Sequence, residues 1–248
     1  MFRLKQLFIF VSRSPRLRIL LLIAMLILFL LLFLLCRSCT AQSDADEPEP
    51  LKLTEPVHII EQFATRNNCY TTGQPLEVRG LMLHSVGSAQ PSAAVYAKNF
   101  NTAKPNGREV CPHAFLQADG TVYQVLPWDM YGWHAGGPLN RTHIGIEMCE
   151  PASLVYTGPC TFYAEDPIAA KAEAENTYRT AVTLFAALCI RYDLDPLEDG
   201  VILSHTEGAL LGKASNHSDP EHLWSGLDLP YTMDTFRADV HTRIAEIQ

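Results

Sequence analysis

The stretch VRGLMLHSV, residues 78–86, is the strongest guide to the fold of this chain. It is an apolar, partly β-branched run that stops at Gly87, a pattern typical of a buried strand. His84 stands near its end, where the chain leaves the core for a turn. A strand end holds a side chain rigidly and leaves one direction open to solvent, so His84 is a candidate functional residue.

The segments that follow alternate between strand and helix patterns. Asp119-Gly120 between two apolar runs predicts a hairpin, and Asp166-Pro167 predicts a capped helix start with proline in its first turn. The predicted elements are a helix over 92–101, strands over 113–117, 121–126 and 144–149, a helix over 166–192, a strand over 201–204, and a last helix capped by Thr232. This interleaving predicts an α/β single domain, residues 57–248, with a mixed central β-sheet flanked by helices.

The N-terminal residues differ in kind from this domain. Residues 19–35 carry no charge, which predicts a transmembrane signal-anchor helix of nearly the roughly 20 residues that span a bilayer. Residues 1–18 hold five basic and no acidic residues and are expected to stay in the cytoplasm. Residues 36–56 are acidic and contain several prolines, as expected for an extended linker. The domain is therefore predicted to face outward from a cell membrane that the chain crosses once.

A cleavable signal peptide is the alternative for the same segment. Its apolar core usually has about 7–15 residues and ends in small residues, whereas this core is longer and runs into Leu35-Cys36-Arg37. Ser38 and Ala41 leave cleavage open, in which case the domain would be secreted. Cys36 or Cys39 could carry a lipid, although neither lies in the small-residue context that favours such processing. Export follows in each case.

Charge and cysteine content narrow the possible partners. Residues 38–248 contain 13 basic and 27 acidic residues, a formal net charge of −14 with histidine neutral. This balance argues against a nucleic-acid partner, because duplex binding depends on lysine and arginine at the phosphates. Five cysteines lie in the domain. Pairing of Cys149 with Cys160 would close a short loop, and buried free thiols are an equal alternative.

A metal site is suggested by two histidines and one aspartate. His205 follows the predicted strand 201–204 just as His84 ends its own strand, and Asp219 lies beyond a loop rich in Gly, Ser and Asn. Two imidazoles and a carboxylate are a common ligand set for catalytic zinc, which keeps a fourth position for water. Three such residues occur by chance in many proteins, so the set alone is a weak signal.

The order of the surrounding motifs adds specificity. LMLHSVG, HAFLQADGTVYQ, GWHAG, IGIE, SHTEG and ASNHSDPEHLW, spread over residues 76–224, together resemble the zinc-dependent N-acetylmuramoyl-L-alanine amidases. That family includes phage lysozyme-type amidases and animal peptidoglycan-recognition proteins. The resemblance implies an enzyme that binds Zn²⁺ and hydrolyses the amide between the muramoyl group and L-alanine in peptidoglycan.

The resemblance also implies roles for single residues. His84, His205 and Asp219 match the family's zinc ligands, and Glu147 of IGIE matches its catalytic acid and base; a surface salt bridge is the structural alternative for Glu147. His217 stands where related enzymes often have a lysine that stabilises the oxyanion, a role a histidine N–H could also fill. Pro112 stands where some members have a tyrosine, so that residue's role has no counterpart here. Further expected substrate contacts or cleft-shaping residues are His113, Trp133 and His134.

Two other functions fit parts of the same pattern. A non-catalytic peptidoglycan-binding module typically lacks one of the metal ligands, whereas this chain has all three candidates. The second is an exported zinc peptidase acting on stem peptides, because the segment SHTEGALLGKASNHSD, 204–219, loosely resembles a motif of such enzymes. However, Ser225 and not a histidine comes directly after Trp224, so the last ligand expected of such a peptidase motif is absent. Oligomeric state is not encoded in any pattern we can identify.

Overall fold

The computed structural model describes residues 57–248, together with Ile19, Ile23 and Met25. The predicted cytoplasmic segment 1–18, nearly all of the predicted anchor 19–35 and the linker 36–56 lie outside these described residues. Within the described part of the chain, no helix is both long enough and apolar enough to span a membrane.

The domain is built on a six-stranded mixed sheet with the strand order β1-β4-β3-β5-β2-β8. β3 and β4 pair antiparallel as a hairpin, and every other pair of neighbours in this sheet is parallel. The strands are β1 (His58–Glu61), β2 (Gly80–Ser85), β3 (Ala114–Leu116), β4 (Thr121–Gln124), β5 (His143–Met148) and β8 (Ile202–Ser204). A separate two-stranded hairpin consists of β6 (Leu154–Gly158) and β7 (Thr161–Ala164).

Six α-helices and two short 3₁₀ helices connect the strands of residues 57–248. Asp166 caps the longest helix by accepting a hydrogen bond from the Ala169 N–H, and Thr232 caps the last helix in the same way through Thr235. The α-helices are α1 (Asn68–Thr72), α2 (Ala93–Phe100), α3 (Pro167–Tyr192), α4 (His205–Leu210), α5 (Glu221–Gly226) and α6 (Met233–Ile247), and the 3₁₀ helices span Pro105–Gly107 and Pro138–Arg141.

The two faces of the sheet have different roles. Residues that pair across parallel strands point to the same face, so His84 of β2, Glu147 of β5 and Phe115 of β3 share one face. Helix α2 partly covers this face, where Tyr96 stacks on Phe115 with ring centroids 5.0 Å apart. The other face is apolar and fully buried, and α3, which contacts β3 and β5, packs against α6. Its central side chains are Leu81, Leu83, Ile144 and Ile146.

The structure confirms the α/β class, the mixed sheet and its flanking helices. Each predicted strand and helix is present within about three residues of its expected ends, and the Asp119-Gly120 hairpin turn joins β3 to β4. Several elements were not predicted: the edge strand β1, the β6–β7 hairpin, the helices α1, α4 and α5, and the two 3₁₀ helices. These are short or mostly exposed, so their sequences carry little periodic apolar signal.

The five cysteines of residues 57–248 are all free thiols. Cys69, Cys111, Cys149 and Cys189 are buried and Cys160 is exposed. The possible Cys149–Cys160 bridge is therefore not formed. Burial raises the pKa of the Cys69 thiol to about 11 and that of Cys189 to about 12, so both remain protonated and pack as small apolar side chains.

Shortening a side chain on the buried face of the sheet should destabilise the protein far more than shortening an exposed side chain. Leu83→Ala, at a side chain that is 0% exposed, should lower the free energy of unfolding by about 2–5 kcal/mol, because it leaves a cavity between β2 and the helices. Leu210→Ala is the control, since that side chain is 83% exposed and should change stability by less than about 0.5 kcal/mol. Urea unfolding of residues 57–248 followed by circular dichroism measures both. Equal losses would contradict the assignment of the core.

Candidate active site

Two neighbouring parallel strands bring the candidate histidines together. β2 pairs in parallel with β8, with Leu83 opposite Ser204. The carboxyl ends of the two strands therefore lie next to each other. His84 is the next residue on β2, and His205 is the first residue of α4. The carboxyl ends of adjacent parallel strands thus place two imidazoles from distant parts of the sequence side by side.

The start of α4 is fixed by a capping box. The Ser204 hydroxyl accepts from the Glu207 N–H, and the Glu207 carboxylate accepts from the Ser204 N–H, both at 3.0 Å. Arg237 of α6 holds the same carboxylate with two 3.0 Å hydrogen bonds. The sequence SHTEG therefore does more than supply His205: its serine and glutamate set the direction of the helix on which that histidine stands.

Asp219 completes a compact group of three possible metal ligands. His84 Nδ1 lies 3.0 Å from Asp219 Oδ2 and 3.1 Å from His205 Nδ1, and His205 Nδ1 lies 3.5 Å from Asp219 Oδ1. Ligands about 2.0–2.1 Å from one tetrahedral zinc ion would be about 3.3 Å apart. The three side chains are buried, and one possible ligand atom of each lies within 4.8 Å of the other two. This arrangement fits a zinc ion.

The charge states of the ligands suit a cation. Burial alone would raise the pKa of Asp219, but hydrogen bonds with His205 and His84 outweigh it and hold that pKa well below its usual range. Burial lowers the pKa of His84, against the opposing effect of Asp219. Neutral imidazole and ionised carboxylate are the forms that bind metal.

Glu147 stands beside these ligands in a cleft of about 480 Å³. Its pKa is raised well above the usual value, first by burial and then by the nearby carboxylates of Asp219 and Glu150. The surface salt bridge considered as an alternative for Glu147 is not found among the described residues. Other residues lining the cleft are Ser85, Val86, Tyr96, Phe100, Arg108, Pro112, Phe115, Trp133, His134, Gly136 and Ser215.

His217 also lines this cleft, near the second histidine ligand. Its Nδ1 lies 3.1 Å from Ser215 Oγ and 3.2 Å from His205 Nε2. Burial, followed by the field of His205, lowers its pKa. A neutral ring still carries one N–H, and Nε2 is the ring nitrogen with no partner among the described residues. The predicted oxyanion role of His217 thus depends on Nε2 as the donor.

The side chain of His113 lies behind the cleft wall, which favours a cleft-shaping role over a direct substrate contact. It is 0% exposed, its Nε2 donates to the Met130 carbonyl at 2.8 Å, and its Nδ1 accepts from the Gly145 N–H at 3.0 Å. Burial lowers its pKa to about 4, so the ring is neutral. His113 joins β3 to β5 and to the loop before Trp133.

Trp133 and His134 both line the cleft, in different ways. Trp133 is 42% exposed and therefore open to a ligand in the cleft. The His134 ring is partly buried, and both of its nitrogens have protein partners: Nδ1 lies 3.0 Å from His84 Nε2, and Nε2 lies 3.0 Å from the His143 carbonyl. Both ring nitrogens of His134 are therefore engaged within the protein, which favours the cleft-shaping role expected for it over a substrate hydrogen bond.

Sequence reasoning missed several residues of the cleft. Tyr96 and Phe100 of α2, Arg108 after the first 3₁₀ helix, and Ser215 in the loop before Asp219 were not predicted. Only the helical spacing of Tyr96 and Phe100 is a pattern, and it is typical of any buried helix face. A larger cavity, about 670 Å³ around Leu210 and Arg237, contains none of the three candidate ligands.

The sequence also matches a known protein family over most of this domain. The family model Amidase_2, described as N-acetylmuramoyl-L-alanine amidase, matches residues 74–222, which include all three candidate ligands and Glu147. The chain belongs to this amidase family. The matched segment covers more than half of the chain and begins just before β2.

Two curated members of the family are similar in sequence. The N-acetylmuramoyl-L-alanine amidase CwlH of Bacillus subtilis (strain 168) is 32% identical over 105 residues, which cover 39% of this chain and 39% of CwlH. XlyA, an N-acetylmuramoyl-L-alanine amidase of the same strain, is 33% identical over 104 residues, 39% of this chain and 33% of XlyA. The similarity thus spans well under half of either relative.

Solved structures share the amidase fold. The catalytic domain of XlyA aligns with a TM-score of 0.54 at 22% identity, over 74% of this chain and 99% of that domain. The Staphylococcus aureus hydrolase AmiA, solved in complex with its ligand, aligns with a TM-score of 0.54 at 16% identity, over 77% of this chain and 83% of AmiA.

The cluster should bind one metal ion that depends on all three ligands. We expect about one zinc per chain after equilibration and gel filtration, and almost none in His84→Ala or Asp219→Ala, because two remaining ligands hold zinc poorly. Mass spectrometric metal analysis measures the content. His241→Ala, on the exposed side of α6, is the control and should retain the ion. Retention of a full zinc equivalent by His84→Ala would place the metal elsewhere.

Proposed function

We propose that this protein is a zinc-dependent N-acetylmuramoyl-L-alanine amidase, which hydrolyses the amide bond between the muramoyl lactyl group and L-alanine in bacterial peptidoglycan. The proposal depends most on one observation: His84, His205 and Asp219 converge within 3.5 Å of one another at the end of a cleft that also contains Glu147. Membership of the amidase family supports the bond that is cleaved.

Zinc held by these ligands would polarise the scissile carbonyl and lower the pKa of the attacking water. Glu147 is suited to take the proton from that water, because it shares a sheet face with His84 and lines the same cleft. The raised pKa of the Glu147 carboxyl makes it a competent proton carrier. It then passes the proton to the leaving amine of L-alanine, so that one residue serves as base and as acid.

His217 is placed to stabilise the tetrahedral intermediate. The Nε2–H of a neutral ring would donate to the oxygen that gains negative charge as water adds to the carbonyl. The Nδ1 contacts with Ser215 and His205 orient the ring for this purpose. A lysine in this position would add a full charge, whereas the histidine acts through a hydrogen bond alone.

The aromatic side chains around the cleft suit a glycopeptide. Trp133 is partly exposed, and Tyr96 and Phe100 line the same cleft. Such rings stack on the apolar faces of sugars and cover peptide backbone. The substrate therefore lies along the cleft with its scissile amide beside His84 and Glu147.

The predicted location follows from the N-terminal sequence. A signal-anchor over 19–35 and a linker over 36–56 would tether the domain on the extracytoplasmic side of the cell membrane, where peptidoglycan lies. Cleavage of the segment would release the same domain as a secreted enzyme. The basic residues of segment 1–18 support the orientation with the domain outside.

Two alternative functions are less well supported. A binding module without catalysis has no need for a complete ligand set beside a half-buried glutamate. A zinc peptidase would need a further ligand in the segment around Trp224. The histidine closest to it, His222, instead lies 2.9 Å from the Tyr156 hydroxyl and 3.5 Å from Glu150 Oε1. The metal cluster found in the described residues does not include it.

Product analysis tests the proposed reaction. Incubation of peptidoglycan with the zinc-loaded domain should release stem peptides with a free L-alanine amino group and intact C-terminal ends, as measured by mass spectrometry. Release of D-alanine would instead identify a peptidase. Binding to peptidoglycan without any cleavage would identify a binding module.

The role of Glu147 is tested by an isosteric change. Glu147→Gln should keep the zinc content and lower kcat by about 100- to 10,000-fold, the usual contribution of a general acid and base. Glu246→Gln, at an exposed glutamate of α6, is the control and should retain full activity. If Glu147→Gln cleaves at the normal rate, the assignment of the base is wrong.

The membrane proposal has its own test. A chain of residues 1–248 should sediment with membranes and resist extraction with high salt, because its 17-residue apolar segment would be held by the bilayer interior. A chain that begins at residue 57 should remain in the soluble fraction. Recovery of the 1–248 chain in the soluble fraction, at its full mass, would contradict the anchor.

A further inference from the structure

The outer nitrogens of the two candidate zinc histidines are held by one loop. His84 and His205 face each other through Nδ1, so each must carry its proton on Nε2 if Nδ1 is to offer a lone pair to a metal. The loop Gly132–Gly136, the GWHAG motif, contacts both of these Nε2 atoms, directly at His84 and through Ser215 at His205.

The contact at His84 is made by the His134 ring. His134 Nε2 lies 3.0 Å from the His143 backbone carbonyl, and since a carbonyl can only accept, this nitrogen carries the His134 proton. In the neutral ring Nδ1 is then an acceptor, and it lies 3.0 Å from His84 Nε2. The proton of His84 is thereby drawn to Nε2, away from the metal-facing nitrogen.

The acceptor nitrogen of His134 is needed because Asp219 favours a proton on the other ring nitrogen of His84. Its Oδ2 atom lies 3.0 Å from His84 Nδ1, and a carboxylate so placed favours a proton on that nitrogen. Such a tautomer of His84 has no lone pair for zinc. The geometry points to His134 as the positioning residue that selects the zinc-binding tautomer of His84, with the Ser215 hydroxyl and the Ala135 carbonyl acting in the same way on His205.

At His205 the connection has one more link. His205 Nε2 lies 3.1 Å from Ser215 Oγ, which accepts its proton and itself lies 3.2 Å from the Ala135 carbonyl, to which it can donate. His134 thus acts on His84 directly, and Ala135 acts on His205 through Ser215, beside a second contact of His205 Nε2 with His217 Nδ1 at 3.2 Å. Outer contacts of this kind orient metal ligands and raise their basicity.

Two features hold the His134 ring in place. A Cβ atom on Gly145 would lie 2.2 Å from His134 Cγ, so the ring rests directly on the backbone of β5 at a position that admits no side chain. Asn140, 2% exposed, accepts hydrogen bonds from the His134 and Ala135 N–H groups at 2.9 and 2.7 Å. The glycine of IGIE, Gly145, therefore leaves the space that the ring of His134, the histidine of GWHAG, occupies.

The test is zinc affinity, measured by competition with a chromogenic chelator. His134→Phe keeps a flat ring but removes the acceptor, and it should weaken zinc binding about 10- to 100-fold. His134→Asn can return an acceptor oxygen near the Nδ1 position and should recover part of the loss. Gly145→Ala, which displaces the ring without changing His134, should weaken binding as well.

A matched control separates this role from simple support of the fold. His143 is buried on the same strand face and donates to the Gly200 carbonyl at 2.9 Å, but its side chain contacts none of the ligands. His143→Phe should lower the melting temperature as much as His134→Phe does, yet change zinc affinity by less than about threefold. Equal losses of affinity in the two variants, or an unchanged affinity in His134→Phe, would overturn the proposal.

A second readout reports the nitrogen atoms themselves. Long-range ¹H–¹⁵N spectra of the zinc-loaded protein should show His84 bound through Nδ1, with a slowly exchanging Nε2–H that is lost in His134→Phe. Ligation of His84 through Nε2 in the wild type would overturn the proposal. The inference rests on the proposed zinc site but not on cleavage: a protein that binds zinc and shows this spectrum yet leaves peptidoglycan intact would contradict only the proposed reaction.

Discussion

The organisation of this domain depends on one constraint, the burial of two imidazoles and a carboxylate with their donor atoms facing a common point. His84, His205 and Asp219 come from positions up to 135 residues apart and converge within 3.5 Å. Burial of a carboxylate and two imidazoles is costly unless each polar atom has a partner. The parallel pairing of β2 with β8, the capping box of α4 and the tight loop before Asp219 all serve to hold it.

The second layer of the site explains why small residues recur in the family motifs. Gly145 leaves room for the His134 ring, and Gly132 leaves room for His113, whose ring would lie 2.8 Å from an added Cβ. These glycines are required by close contact with an imidazole, not by backbone strain. The histidines behind the cleft therefore need the same glycines that make IGIE and GWHAG recognisable.

Local sequence patterns predicted much of the fold. An apolar run stopped by a glycine located β2, Asp119-Gly120 located the β3–β4 hairpin, and Asp166-Pro167 located the start of α3, because each is a short-range preference of the backbone. The β6–β7 hairpin and α5 escaped prediction because their burial depends on partners distant in sequence: Phe162 of β7 packs on Gly226 of α5. The inner position of His113 escaped for the same reason, since only pairing of β3 with β5 places it behind the wall.

The sequence by itself determined the class of the fold, the order of the central strands β2 to β5 and of the long helices, and the family whose motifs the chain contains. It also placed the two candidate histidine ligands at strand ends, since an apolar run that stops at a polar residue marks the sheet edge. Tertiary structure alone decided which nitrogen of each histidine faces the metal site, which histidines are open to the cleft, and which residue holds each proton. These properties depend on distances of about 3 Å between groups from separate segments, and no local pattern records them.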